Sequence, residues 1–193
     1  YIFLMKEYKI KNKDDFIKGW FIKKSICTDL IKYFEKKSNN HVRGRIGGGY
    51  KPSWKKSTDL YLSPNNPDLD PYLHALGDCM KEYRKIYPAL NDKVGKWNIV
   101  ENINIQKYEV QEGYPAWHCE REGALQSNRM MVFMTYLNDV EEGGTTEWLH
   151  QKLKIKPKTG LTVIWPVDWM YIHRGNILEK GNKYIITGWW SYF

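Results

Sequence analysis

Five histidines occur in the chain, at positions 41, 74, 118, 150 and 173, and only His118 has a carboxylate two residues on, in His118-Cys119-Glu120. On an extended strand, residues i and i+2 project from one face. Both side chains can then reach one ion. A third ligand from a distant strand would complete two histidines and one carboxylate, a set that leaves coordination positions open and suits non-haem Fe(II) and O2 chemistry. His173 closes the aromatic run WPVDWMYIH (165–173) and is the candidate for that ligand. A His-x-Glu pair alone is a weak signal, because such pairs arise by chance and a lone histidine is usually structural.

Ten residues after His173, Lys183 opens the run KYIITGWW. Most of that run is apolar or aromatic, and lysine is rarely buried without a partner. Two readings follow. Lys183 points to water from the start of its strand, or it is a buried ammonium that needs a carboxylate partner.

The elements that must position these groups fall into two halves. Ser25 reads as an N-cap, with Ile26, Leu30, Tyr33 and Phe34 at helical spacing to about Lys37. Asp70 and Pro71 read as the cap and first turn of a second helix. Its apolar face is Leu73, Leu76, Met80, Tyr83 and Ile86 or Tyr87, and Pro88 ends it. Between them, residues 43–56 (RGRIGGGYKPSWKK) read as a mobile loop, and residues 57–62 as a short strand. After Lys96 alternation takes over, at 98–109, 130–138, 160–165, 171–173 and 183–190. Turn signals at Glu112-Gly113, Gly143-Gly144, 157–160 and Gly181-Asn182 separate the runs. Helices first and strands second predict a β-rich α+β fold, with helices supporting one side of an antiparallel sandwich.

The 193 residues suffice for a compact core, and no repeat or linker divides them, so residues 1–193 read as one domain. Apolar residues make up 42%, which excludes a disordered chain. Fifteen Lys and Arg in residues 6–56 against six acids through Asp59 give about +9 there, and leave the rest near −1. That imbalance is either a solvated basic surface or an attraction to an acidic partner: peptide, nucleic acid or anionic co-substrate. Cys27, Cys79 and Cys119 make no disulfide framework and no CxxC zinc pattern, which fits a reducing cytoplasm. The apolar opening, residues 1–5, is too short to span a membrane and lacks the features of a signal peptide. A cytoplasmic protein without membrane contact is expected.

With these residues in view, the chain resembles the 2-oxoglutarate/Fe(II) oxygenases of the prolyl 4-hydroxylase-like branch, and in particular small versions encoded by marine bacteriophages and their hosts. The resemblance is carried by KYEVQEGYPAWHCE (107–120), NRMMVFMTYLNDVEEGGTTEW (128–148), KIKPKTGLTVIWP (154–166), His173 and Lys183. It implies a double-stranded β-helix, a cupin-like jelly roll with supporting N-terminal helices. It implies Fe(II) on His118, Glu120 and His173, with 2-oxoglutarate and O2 as co-substrates and ascorbate as a possible requirement. Glu120 departs from the family's usual aspartate. The resemblance gives Lys183 the distal carboxylate of 2-oxoglutarate, and Tyr108 a hydrogen bond to the same molecule, with a packed core tyrosine as the competing reading. Thr146 and Trp189 would line that pocket, and Arg129 would contact substrate. The loop 43–56 matches the place of a lid, where Tyr50 and Trp54 would cover a proline ring; an ordinary surface loop is the alternative. The implied activity is hydroxylation of prolyl residues in a peptide or protein, in the host cytoplasm if the gene is a phage's. Two alternatives stay open: an oxygenase for nucleic-acid bases or a small molecule, and a jelly-roll binding module without catalysis.

Overall fold

The computed structural model describes residues 6–9, 16–47 and 49–193; residues 1–5, 10–15 and 48 lie outside that description, and with them the apolar opening and one loop glycine. Helix α1, Lys24–Lys36, buries Cys27, Leu30 and Phe34. Helix α2, Asp70–Ile86, buries Tyr72, Leu76, Cys79, Met80 and Tyr83. Both caps differ from the sequence expectation. Lys23 precedes α1 with no capping side chain, so Ser25 lies inside the first turn, a two-residue difference that is ordinary at a helix end. Asp70 is already helical, because the turn Pro67–Leu69 runs into α2; the capping oxygen belongs to Asn66, which accepts from the Asp68 N–H at 3.0 Å. The buried face of α2 is also rotated. Tyr72 can be fully buried because its hydroxyl meets Thr135 Oγ1 at 3.0 Å, whereas Ile86 is left 43% exposed.

A nine-stranded sheet carries the helices. Its strands run in the order Glu7–Tyr8, Lys18–Phe21, Leu161–Pro166, Arg129–Tyr136, Lys183–Tyr192, Ile103–Tyr108, Thr58–Leu62 and Val42–Arg43, with Trp97–Asn98 paired to the end of Lys183–Tyr192. A four-stranded sheet, Leu153–Ile155, Thr146–Trp148, His173–Gly175 and Tyr114–His118, forms the second layer. This is the antiparallel sandwich expected from the order of elements, in the jelly-roll form that the resemblance implied. The predicted run 98–109 is broken at 99–102, and Tyr171 belongs to a helical turn, Trp169–Tyr171, with the strand starting only at His173.

The period of two decides what faces where. In Arg129–Tyr136, Met131 and Phe133 join the core beneath the helices, while Val132, Met134 and Tyr136 join the core between the sheets. In Lys183–Tyr192, Tyr184, Ile186 and Trp190 face the helices, and Lys183, Ile185, Thr187 and Trp189 line a cavity on the opposite side. In Ile103–Tyr108, Ile103 and Ile105 are core, and Asn104, Gln106 and Tyr108 line the same cavity. Alternation thus sets a row of polar and aromatic groups opposite the smaller sheet. Among the described residues, no helix is long and apolar enough to cross a membrane.

Candidate active site

His118 ends the strand Tyr114–His118, His173 begins His173–Gly175, and the two are direct cross-strand partners. Each imidazole is oriented by its own chain: Nδ1 lies 2.9 Å from the carbonyl two residues earlier, Ala116 for His118 and Tyr171 for His173. A carbonyl only accepts, so Nδ1 carries the proton and Nε2 keeps its lone pair. Tyr114 stacks on the His118 ring at 3.7 Å and 7°, and Trp165 packs edge-on to His173 at 5.2 Å.

The strand stops at His118, so Glu120 is not on the extended run that the sequence suggested. It sits in the bend that follows, where its N–H donates to Val167 O at 3.1 Å, and the bend turns its carboxylate toward the histidines. Oε1 lies 3.7 Å from His118 Nε2 and 3.3 Å from His173 Nε2. One ligand atom from each residue falls within 4.8 Å of the others, and among the described residues only this trio could hold a metal in that way. Donors about 2 Å from one ion stand roughly 3–4 Å apart. Burial and the neighbouring His173 push His118 down to about 3. Burial opposes ionisation of Glu120, but the groups facing it, the Arg129 guanidinium among them, outweigh burial and hold the carboxyl below the usual carboxylate range. An available imidazole lone pair and an ionised carboxylate are what a divalent cation requires.

Lys183 does not point to water. It is 3% exposed, stands opposite Tyr108 in the strand register, and donates to Gly144 O at 2.7 Å. The rings of Tyr108 and Tyr136 face its Nζ at 5.1 and 5.9 Å. No carboxylate pairs with it among the described residues, and burial pushes its ammonium down from 10.5 to about 7. Gly144, read from sequence only as part of a turn, is a backbone acceptor for this lysine. Its φ is +60°, and a Cβ there would stand 3.2 Å from Lys183 Cδ. Gly175 leaves open space beside the charge, since a Cβ there would lie 3.8 Å from Nζ.

A cavity of about 410 Å³ joins the ligand trio to Lys183. Tyr108, Thr146, Trp189 and Arg129 all line it. Tyr108 donates to Gln106 Oε1 at 2.5 Å, with burial holding its hydroxyl far above the ordinary range. Thr146 accepts from Tyr136 at 2.6 Å. The Trp189 indole N–H points at Glu120 Oε2, 3.0 Å away. Arg129 is engaged by Glu101 through its Nε and Nη2 at 2.9 and 2.6 Å. From the loop, Arg45, Ile46, Gly47 and Lys55 form part of the wall. Tyr50 and Trp54 lie outside that lining, 48% and 43% exposed, each against a cation: Arg43 for Tyr50, Lys51 for Trp54. Sequence reasoning also passed over Asp59, which is fully buried at the base of the loop. It accepts from Lys55 at 2.7 Å, Ser57 at 2.6 Å and Asn104 at 2.9 Å. The signal was present, as a lone acid in an apolar strand, Thr58–Leu62, closely preceded by lysines.

Comparison with known proteins gives this geometry a family. Residues 103–191 match the family model for the 2OG-Fe(II) oxygenase superfamily. The matched segment, just under half of the chain, resembles a 2OG-Fe(II) oxygenase domain. All three ligands and Lys183 lie inside that domain, whereas both helices and the loop 43–56 precede it. Prolyl 4-hydroxylase 13 of Arabidopsis thaliana is 27% identical over a match that covers 46% of this chain and 42% of that protein. The chain thus spans about two fifths of the length of the curated relatives it matches. The chain shares its fold with a viral collagen prolyl hydroxylase from Paramecium Bursaria Chlorella virus-1, solved as a 2OG complex: TM-score 0.68, 20% identity, covering 93% of this chain and 98% of that one. A Trichoplax adhaerens prolyl hydroxylase, solved with a hypoxia inducible factor peptide fragment, gives TM-score 0.72 and 15% identity, covering 92% of this chain and 84% of that one. Fe(II), 2-oxoglutarate and O2 are the cofactors of this family, and the donor set and a buried lysine with no carboxylate partner among the described residues both fit them.

Proposed function

We propose that this oxygenase hydroxylates prolyl residues of a peptide or protein, with conversion of 2-oxoglutarate to succinate and CO2. The observation that carries the reading is Lys183, a buried cation with no carboxylate partner among the described residues, in one cavity with the ligand trio. When bound, iron and 2-oxoglutarate supply the oxidising chemistry: one atom of O2 goes to a substrate C–H bond and the other to succinate. The chain itself binds and orients. His118, Glu120 and His173 would hold the metal. Lys183 would hold the distal carboxylate, with Gly175 leaving it room and the rings of Tyr108 and Tyr136 keeping water away. Tyr108 would turn its hydroxyl from Gln106 to the co-substrate, and Thr146 would line its site.

A peptide substrate is favoured by the names of the relatives: one is a collagen hydroxylase and another was solved with a peptide. The loop, with Arg45 in the cavity wall and Arg43 and Lys51 exposed beyond it, favours acidic residues beside the target. The test is succinate formation by protein loaded anaerobically with Fe(II), then given 2-oxoglutarate, ascorbate and O2, with proline-rich peptides that have acidic or neutral flanks. His118→Ala and Lys183→Ala run beside it. Peptide-stimulated succinate that needs both residues supports the reading, and a lower KM for acidic flanks supports the basic wall. Stimulation by RNA or DNA instead of peptide would sink the prolyl reading. No metal uptake and no succinate would sink the oxygenase reading altogether.

A further inference from the structure

Glutamate reaches one methylene further than aspartate and carries one more rotatable bond, so a glutamate ligand has more ways to miss a metal. In this chain the two oxygens of Glu120 are differently occupied. Oε1 faces the two imidazoles at 3.7 and 3.3 Å. Oε2 accepts the Trp189 indole N–H at 3.0 Å. An indole nitrogen can only donate, so the bond fixes which oxygen is withheld and which is offered.

Trp189 is itself held. The guanidinium carbon of Arg129 lies 3.5 Å from its ring centroid, a stacked cation. The same Arg129 donates from Nη1 to Glu120 O at 3.1 Å, so it grips the ligand's backbone as well. Its fork is closed by the Glu101 carboxylate, Nε to Oε1 at 2.9 Å and Nη2 to Oε2 at 2.6 Å. Glu101 in turn accepts from Ser191, two residues beyond Trp189, at 3.1 Å. These groups form a closed circuit: Glu101, Arg129, Trp189 and Glu120, back through the strand that carries both Trp189 and Ser191. An arginine whose face and fork are both committed is poorly free to follow a substrate.

We propose that Trp189, backed by the Arg129–Glu101 pair, is a positioning residue that adapts the site to a glutamate ligand, so that Trp189 and Glu120 are a matched pair. The inference rests on the oxygenase reading of the trio. It also moves Arg129 from substrate contact to support of the metal site.

The test is Mn(II) affinity, read by electron paramagnetic resonance, for wild type, Trp189→Phe, Glu120→Asp and the double variant, with urea unfolding of each in the absence of metal. Phenylalanine keeps an aromatic face for Arg129 and removes the N–H together with part of the ring, and the unfolding midpoint reads the packing share of the change. Loss of such an outer partner weakens metal binding about 10–100-fold. That loss is expected for Trp189→Phe, with its unfolding midpoint close to wild type. In the Glu120→Asp background the shorter carboxylate no longer meets the indole, so the same change should cost less than about threefold. Arg129→Gln should reproduce part of the Trp189→Phe loss. Wild-type affinity in Trp189→Phe, or losses that simply multiply in the double variant, would overturn the matched pair while leaving the oxygenase reading intact. A wild-type protein that takes up no Mn(II) would overturn both.

Discussion

Replacing Lys183 by methionine should make the ligand-free protein more stable and deprive it of 2-oxoglutarate. Burial moves this ammonium from 10.5 down to about 7. At about 1.4 kcal/mol per pKa unit, holding the charge inside at neutral pH costs roughly 4–5 kcal/mol. Against that stand one hydrogen bond from a charged donor to Gly144 O at 2.7 Å, about 1.5–3 kcal/mol, and two aromatic faces at 5.1 and 5.9 Å, each about 0.5 kcal/mol. Methionine fills similar volume, removes the charge and leaves a net gain of about 1–2 kcal/mol. A thermal melt should read this as a rise of a few degrees. The folded value lies below the unfolded one, so the cost is fully present below about pH 7 and fades as pH rises toward 10.5. Wild type should therefore close the gap to Lys183→Met across that window. Binding is the other half. A carboxylate beside Nζ restores the charge, so at pH 8 wild type should take up nearly one proton per 2-oxoglutarate. Titration calorimetry in buffers of different ionisation enthalpy measures that number directly. Lys183→Met should bind roughly 150- to 4,000-fold more weakly and take up none, since a buried ion pair broken on one side costs about 3–5 kcal/mol. A less stable Lys183→Met, or wild-type binding at pH 8 without proton uptake, would refute the view of Lys183 as a buried amine whose charge is disfavoured until a carboxylate arrives.

Two further substitutions test the surroundings of that charge. Gly144→Ala forces a Cβ onto a φ of +60° and to 3.2 Å from Lys183 Cδ; a loss of about 1–2 kcal/mol in urea unfolding and a raised Kd for 2-oxoglutarate are expected. Asp59→Asn leaves Lys55, only 3% exposed, without its 2.7 Å partner. A loss of about 3–5 kcal/mol in urea unfolding is expected, and an unchanged midpoint would show that Lys55 simply turns to water.

The legible and illegible parts of this chain divide by range. Period-two runs at 130–138, 160–165 and 183–190 yielded their strands, because one-sided burial writes itself into neighbouring residues. His118, Glu120, His173 and Lys183 stood out by residue type in unsuitable surroundings, and the resemblance located their roles. Bends and caps were less visible. Glu120 was assigned to a strand because a two-residue spacing fits an extended chain, while the bend depends on a hydrogen bond to Val167, far along the chain. The rotated face of α2 depends in the same way on a hydroxyl partner for Tyr72 sixty-three residues away.

Glu101 marks the limit of such reading. By sequence it is an unremarked acid inside the run 98–109, 28 residues from Arg129 and 90 from Ser191, with no pattern linking the three. Only the pairing of Lys183–Tyr192 with Arg129–Tyr136 brings Ser191 opposite Arg129, at a register irregularity that follows Trp190. That irregularity sets the indole of Trp189 and the guanidinium of Arg129 in the same corner. The glutamate departure at position 120 was visible from the start, but without this corner it looked like a tolerated variation. With the corner in view, the longer ligand has a donor aimed at its second oxygen, and the substitution carries its own physical reason.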